Sequence, residues 1–165
     1  MKNAQRIFAA ILVVAFAFSL FAGCSKSGKD KEFSKDGFKI TLNDGFEEQA
    51  VENQTAAYSS DKYIVTALKE DFGLFENAGY STDISEEEYA KMVMENNSLG
   101  DSTEIIYGIV TFSYEMEVEG QKMAYLATVK KGSDAFWLIQ FVSLKTVFES
   151  SRNQFMEWAK TVTVE

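Results

Sequence analysis

The stretch from residue 135 to 142 reads Ala-Phe-Trp-Leu-Ile-Gln-Phe-Val and is apolar at both odd and even positions. Successive side chains of a β-strand point to opposite faces of the sheet, so a strand of this composition needs apolar cover on both faces. A sheet with one face in water cannot hold it in its interior. The sequence therefore predicts a sheet that lies between two other layers.

Two amphipathic segments have the helical spacing needed to form those layers. They run from about 86 to 97 and from about 146 to 160, with their large apolar residues on one face. Each opens with the pattern of a capping box, in which a hydroxyl and a carboxylate satisfy free backbone N–H groups at the start of a helix. The predicted capping pairs are Ser85 with Glu88 and Thr146 with Glu149.

The rest of the chain alternates apolar and polar residues with the period of two that is typical of strands. The predicted strands cover residues 37–42, 54–59, 62–69, 103–107, 109–118, 121–130 and 135–142. Gly120 and Gly132 mark tight turns between the last three. The first of these turns is Glu119-Gly120 or Gly120-Gln121, and the same faces meet in both cases because the register shifts by two.

Strands, a helix, more strands and a last helix, in that order, indicate an α+β fold: an antiparallel sheet of about six or seven strands with helices on both faces. Four features carry a resemblance to a known fold: the opening Phe33-x-x-x-Gly37-Phe38-Lys39-Ile40-x-Leu42-x-Asp44-Gly45-Phe46, the mid-chain Ser85-x-Glu87-Glu88-Tyr89, the pair Phe136-Trp137 and the closing aromatic helix. With these features, residues 33 to 164 resemble the PsbP-like α/β/α sandwich. The resemblance implies a fold whose members are mostly accessory proteins that bind other proteins, and it transfers no catalytic residues.

The N-terminus has the order of charges and apolar residues that a secretion signal requires. Lys2 and Arg6 precede an apolar run over 7–21, and a small pair, Ala22-Gly23, precedes Cys24. The stretch Leu20-Phe21-Ala22-Gly23-Cys24 resembles the bacterial lipobox, which implies that Cys24 receives diacylglycerol and becomes the first residue. An uncleaved membrane-spanning anchor is the alternative, but such a span needs roughly 20 apolar residues.

Three regions follow from this interpretation. They are a signal peptide over 1–23, the lipidated Cys24 with a flexible tether over 24–32, and a single α+β domain over 33–165. The tether is polar, from Ser25 to Lys31, and a segment of this composition is typically flexible. We therefore expect a lipid-anchored protein on the extracytoplasmic face of the cell membrane.

Composition excludes several classes of function. The formal net charge is −9, and it becomes −11 once Lys2 and Arg6 leave with the signal peptide. A protein this acidic, without a basic stripe, is not expected to bind nucleic acid. The chain has no His and a single Cys, so His-dependent triads, zinc sites and internal disulfides are not expected. No cofactor or metal is predicted.

The segment from Asp71 to Tyr80 is the first candidate for a partner-binding site. It carries two glycines and four large apolar residues in a connection that is too long for a hairpin. Either these apolar side chains fold back on the sheet as a lid, which is the favoured interpretation, or some stay exposed as a patch for a partner. The four candidate residues are Phe72, Leu74, Phe75 and Tyr80.

Two further groups of residues are assigned to structural roles. Glu115, Glu117 and Glu119 alternate along one strand face at a spacing that a carboxylate hydrolase or a hard cation could use, but a solvated strand face with Lys122 opposite is the favoured interpretation. An aromatic set has the spacing of core residues and is assigned to the space between layers. Its members are Trp137, Phe141, Phe148, Phe155 and Trp158.

Three hypotheses for function remain, in descending order of preference. The first is a non-enzymatic module that binds a protein, such as a neighbouring envelope component, through a face remote from Cys24. The second is a lipoprotein that binds a sugar or another small ligand for transport or sensing, which requires an aromatic-lined pocket of a few hundred Å³. The third is a carboxylate-dependent hydrolase, which requires two acidic groups in a cleft.

Overall fold

The computed structural model describes residues 28–100 and 102–165. The predicted signal peptide, Cys24 and the first residues of the tether lie outside this range. Within it, no helix combines the length and the apolar character that crossing a membrane requires. The described elements are β1 (Asp30–Lys35), β2 (Phe38–Asn43), β3 (Glu47–Glu48), β4 (Ala56–Ser59), β5 (Ile64–Asp71), α1 (Phe72–Asn77), α2 (Glu86–Asn97), β6 (Glu104–Ile106), β7 (Ile109–Val118), β8 (Gln121–Lys131), β9 (Ala135–Leu144), α3 (Lys145–Thr161) and β10 (Thr163–Val164).

Seven of the strands form one antiparallel sheet in the order β3-β4-β5-β9-β8-β7-β6. The strand that is apolar on both faces, β9, is the central one, and its residues 135–143 are all buried. Strand β9 pairs with β5 on one side and with β8 on the other, so its backbone N–H and C=O groups have hydrogen-bond partners. The predicted α+β class and the predicted strand number are therefore confirmed.

Each face of this sheet carries its own hydrophobic core. On one face, Trp137, Ile139 and Phe141 pack with the apolar side of α3 and with the small sheet that β1, β2 and β10 form. On the other face, Phe136 and Leu138 pack with α1 and α2. The cover on both sides that the sequence of β9 demands is thus present.

The three-stranded sheet β1-β2-β10 was not predicted. Strand β1 begins at Asp30, so residues 30–32, which the sequence assigned to the flexible tether, belong to the folded domain. Asp36 and Gly37 both have positive φ, at 47° and 87°, and they join β1 to β2 by a two-residue turn. Asp-Gly is a strong signal for such a hairpin turn, and it was present in the sequence.

The β7–β8 hairpin resolves the turn that the sequence left open. Val118 pairs with Gln121, so the turn is Glu119-Gly120, and both turn residues have positive φ. The predicted contact between the faces of the two strands is confirmed: the rings of Tyr114 and Tyr125 stack with their centroids 4.5 Å apart.

Helices α2 and α3 differ in how they begin. Helix α2 has the predicted bounds and the predicted capping box, in which the Ser85 hydroxyl accepts from the Glu88 N–H at 3.2 Å and the Glu88 carboxylate accepts from the Ser85 N–H at 2.8 Å. The second predicted capping box, at Thr146, is wrong. Helix α3 follows β9 without a linker, its N-cap residue is Leu144, and no side chain caps it. Thr146 is already inside the first turn.

This difference gives a matched pair of substitutions. We expect Ser85→Ala to lower the free energy of unfolding by about 1 kcal/mol, because an N-cap hydrogen bond is lost. Thr146→Ala should change it by less than about 0.5 kcal/mol, because Thr146 is exposed and caps nothing. Urea denaturation followed by circular dichroism measures both changes. Equal losses in the two variants would contradict the capping assignment.

Candidate partner-binding surface

The segment from 71 to 80 is not the long loop that the sequence predicts. Strand β5 ends at Asp71 and helix α1 begins at the next residue. The N–H of Phe72 donates to the carbonyl of Asp134 at 2.8 Å, which attaches the start of α1 to the turn between β8 and β9. A single short helix therefore sits at this end of the large sheet.

Two of the four candidate residues fold back onto the sheet, as the lid interpretation predicts. Phe75 has no exposed surface, and its ring centroid lies 5.9 Å from that of Tyr89 and 5.4 Å from that of Phe136. Phe72 is half-buried, with its ring edge-on to Phe136 at 5.1 Å. Positions three apart share a helix face, so Phe72 and Phe75 together pack α1 against the sheet.

The other two candidates remain at the surface, as the patch interpretation predicts. Leu74 is 51% exposed and Tyr80 is 44% exposed. Tyr80 is nevertheless held in place, because its N–H donates to the carbonyl of Phe75 at 3.0 Å and its ring contacts the Phe75 ring edge-on at 6.4 Å. We call the exposed side chains of Leu74 and Tyr80 the α1 surface.

Lys131 connects this end of the sheet to the start of α2. Its ammonium donates to the carbonyl of Ile84 at 3.0 Å and lies 5.7 Å from the centre of the Phe72 ring. Its backbone N–H donates to the carboxylate of Glu86 at 2.8 Å. The helices α1 and α2 are thus joined through one residue of β8, which gives the α1 surface a rigid support.

A buried polar pair lies beneath α1. The Tyr89 hydroxyl donates to the Glu70 carboxylate at 2.6 Å, and both side chains are buried. Burial, followed by the negative charge of Glu70, raises the pKa of Tyr89 well above its usual value. Tyr89 therefore keeps its proton and donates it in the hydrogen bond. Because a substrate cannot reach either group, the pair supports the packing of α2 and is not an exposed acid–base dyad.

The row of glutamates on β7 has the surroundings of a solvated strand face. Glu115 pairs with Lys145 at 2.7 Å, and Glu117 lies opposite Lys122 in the β7–β8 register, as expected. Within residues 28–100 and 102–165, no three Asp, Glu, Cys or His side chains are close enough together to hold a metal ion. The aromatic set from the sequence lies in the core between the large sheet and α3, as predicted: Trp137, Phe141, Phe148, Phe155 and Trp158.

A cavity of about 430 Å³ opens next to strand β10. It lies between the turn that precedes β7, the last residues of β8 and the strand β10, and Glu86 at the start of α2 also lines it. None of its lining residues is aromatic, so it is not the aromatic-lined pocket that the sugar-binding hypothesis requires. The sequence missed this cavity because β10 was not predicted.

The α1 surface and the turn between β1 and β2 lie at the same end of the domain. The N–H of Glu165 donates to the carbonyl of Gly37 at 3.1 Å. A Cβ on Gly132 would lie 2.0 Å from the Glu165 carbonyl oxygen, so the turn at Gly132 is in close contact with the C-terminal residue. That turn also holds Asp134, to which α1 is attached.

The chain enters the fold at the opposite end of the β1–β2 hairpin. Asp30 pairs with Asn43, and Lys35, next to the turn, pairs with Phe38. The Asp44 N–H donates to the carbonyl of Lys29 at 2.9 Å. Six residues of strand rise about 20 Å. The point of attachment to the N-terminal segment therefore lies about 20 Å along the hairpin from the turn at the α1 end.

No protein-family model and no curated protein sequence matches the chain. Among solved structures it is similar to cyanobacterial PsbP (CyanoP) from Synechocystis sp. PCC 6803, with 12% identity over 87% of this chain and 96% of that one and a TM-score of 0.54. It is also similar to LpqN, involved in cell envelope biogenesis of Mycobacterium tuberculosis, with 10% identity over 84% of this chain and 92% of that one and a TM-score of 0.47. A third similar structure is the Ran-binding protein Mog1p of Saccharomyces cerevisiae, with 12% identity over 83% of this chain and 96% of that one and a TM-score of 0.47. At these identities the likeness concerns the fold alone. The chain has a PsbP-like α+β fold.

Proposed function

We propose that the protein is a non-enzymatic accessory module, anchored by a lipid on Cys24 to the extracytoplasmic face of the cell membrane, that binds an envelope protein through the α1 surface. The observation that carries the proposal is the placement of Leu74 and Tyr80. They lie at the end of the domain opposite to the point where the chain enters it. A module held at one end presents the other end to its partner.

The short connection to the anchor supports this orientation. Five residues separate Cys24 from the first residue of β1, Asp30. Even a fully extended chain of that length spans only about 20 Å. Because the domain cannot move far from the bilayer, its Gly28 end faces the lipid and its α1 end faces away.

The nature of the exposed side chains supports protein binding. Leu74 and Tyr80 present apolar and aromatic surface, and the Lys131 ammonium lies beside Phe72 of the same helix as Leu74. Protein interfaces combine an aromatic or aliphatic anchor with a polar rim, and a rigid anchor loses little conformational entropy on binding. The anchor at Phe75 that the sequence suggested is buried, so the contact is assigned to its two exposed neighbours.

A quantitative pull-down from detergent-solubilised envelopes tests the proposal with the full-length protein. We expect the double variant Leu74→Asp/Tyr80→Ser to recover about tenfold less of a stoichiometric partner than the unchanged protein, because two exposed contact residues are lost. Val147→Asp is the matched control, since Val147 is exposed on α3, away from the α1 surface. Undiminished binding by the double variant, or an equal loss in the control, would refute the assignment of the α1 surface.

A further inference from the structure

The turn between β6 and β7 holds an exposed aromatic side chain in a strained backbone conformation. Tyr107 is 71% exposed, the largest exposure of a large apolar residue in the described part of the chain. Tyr107 and Gly108 form the turn, with φ of 51° and 77°, and Ile106 pairs with Ile109. Such a turn favours Asn or Gly at both central positions. Tyr107 therefore keeps a costly conformation while its ring remains in water.

Lys160, in the last turn of α3, holds the Tyr107 ring in place. Its ammonium lies 3.9 Å from the centre of the ring and also donates to the Glu157 carboxylate at 2.7 Å. A cation over the face of an aromatic ring is attracted by the electrons of that face. The ring is thus positioned at the surface before any partner arrives, and a positioned side chain loses little conformational entropy on binding.

This turn lies at the same end of the large sheet as α1. Thr111, near the start of β7, is opposite Thr128, and Lys131, the last residue of β8, is opposite Phe136. Strand β7 therefore begins at the level where β8 ends, and α1 is attached to Asp134 in the turn that follows β8. Four strand spacings separate β5, which continues into α1, from β6. At about 4.8 Å each, they place the turn about 20 Å from α1.

A stable protein interface is wider than the α1 surface. Such interfaces cover about 800 Å² on each partner, which corresponds to a disc about 30 Å across. Leu74 and Tyr80, each about half exposed, supply only a small part of that area. A partner seated on them must also cover neighbouring surface at the same end of the domain. Tyr107, about 20 Å away, lies within the reach of one interface of this size.

We propose that Tyr107 is a second contact for the partner that binds the α1 surface, and that this partner is a folded protein whose surface extends from α1 to the β6–β7 turn. The line between the two contacts crosses the ends of β9, β8 and β7. An extended segment pairs along the edge of a strand and not across strand ends, so the arrangement favours a folded surface over a linear peptide. The proposal rests on the proposed function, because it adds a contact to the α1 surface.

Tyr107→Asn separates binding from folding in the full-length protein. Asn suits this turn better than Tyr, so the urea midpoint should stay the same or rise. Recovery of the stoichiometric partner in the pull-down should fall about tenfold, because an aromatic contact is lost. Tyr107→Phe keeps the ring and should recover the partner within about threefold of the unchanged protein. Undiminished recovery by Tyr107→Asn, or a loss that comes with a lower urea midpoint, would overturn the proposal, since Tyr107 would then only support α3 through Lys160.

Photo-crosslinking in intact envelopes tests whether both contacts belong to one partner. Benzoylphenylalanine replaces Tyr80, Tyr107 or, as the control, Val147, which lies on α3 just after the end of β9 that is remote from α1. Positions 80 and 107 should crosslink to one protein, at separate segments of its sequence, and position 147 should not. A different protein or none at position 107, or crosslinks from both positions within one short segment, would overturn the proposal. If position 107 fails while Leu74→Asp/Tyr80→Ser still loses the partner, the proposed function stands and the second contact falls.

Discussion

Phe75→Ala should lower the free energy of unfolding by about 3 to 5 kcal/mol, which is the usual cost of truncating a buried aromatic side chain in a well-packed core. Phe75 has no exposed surface and its ring touches those of Tyr80, Tyr89 and Phe136. Its removal leaves a cavity between α1, α2 and the sheet. Urea denaturation measures the loss as a lower midpoint concentration, with no change in the slope of the free energy of unfolding against urea concentration.

The neighbouring residue provides the control. Leu74 belongs to the same helix, but half of its surface is exposed, so Leu74→Ala should change the free energy of unfolding by less than about 0.5 kcal/mol. The pair separates the two roles that the sequence could not assign within α1: a buried residue that holds the helix and an exposed residue that is available to a partner. Comparable losses in the two variants would show that α1 is not seated as described.

Cys24→Ser should abolish the incorporation of labelled palmitate into the protein and leave Met1 on the purified chain. The physical reason is that the proposed anchor is a thioether, and a hydroxyl at this position is not the nucleophile that the lipobox chemistry uses. A single acyl chain binds membranes only marginally, whereas several chains on one residue give stable anchoring. Mass spectrometry of the purified protein and counting of the label give the two readouts.

Ser25→Ala is the matched control for the anchor, because it changes the next residue in the chain and leaves the thiol in place. It should incorporate label at the level of the unchanged protein. An unchanged protein that still carries Met1, or whose Cys24 sulfur is unmodified, would refute the lipid anchor. The argument that a short tether turns the α1 surface away from the bilayer would then no longer apply.

Local patterns in the sequence predicted much of the fold. The bounds of α2 and β7 are as predicted, and the Ser85 capping box is present because it depends only on residues three apart in the chain. The predicted capping box at Thr146 has the same local pattern but is absent, because the preceding residues form a strand that continues into the helix. Strand β9 runs straight into α3, and this continuity moves the start of the helix ahead of the predicted cap.

The candidate site was predicted only as a segment. The composition of residues 71–80 shows that large apolar side chains occur in a connection, but it does not show which of them face the sheet. That choice depends on α1, whose helical spacing turns Phe72 and Phe75 inward and Leu74 outward, and on the turn after the helix, which leaves Tyr80 at the surface. The cavity beside β10 was not predictable by any local pattern, because its walls come from segments far apart in the chain.

The sequence by itself determined that a strand apolar on both faces must lie at the centre of a three-layer α+β domain, because side-chain alternation is a property of the strand alone. Tertiary structure decided the rest. The pairing of Thr163 and Val164 with β2 joins residues more than 120 positions apart, and the burial of Phe75 depends on rings from α2 and β9. Such contacts arise from packing between elements, so neither the exposed α1 surface nor the position of β10 could be identified until the layers were assembled.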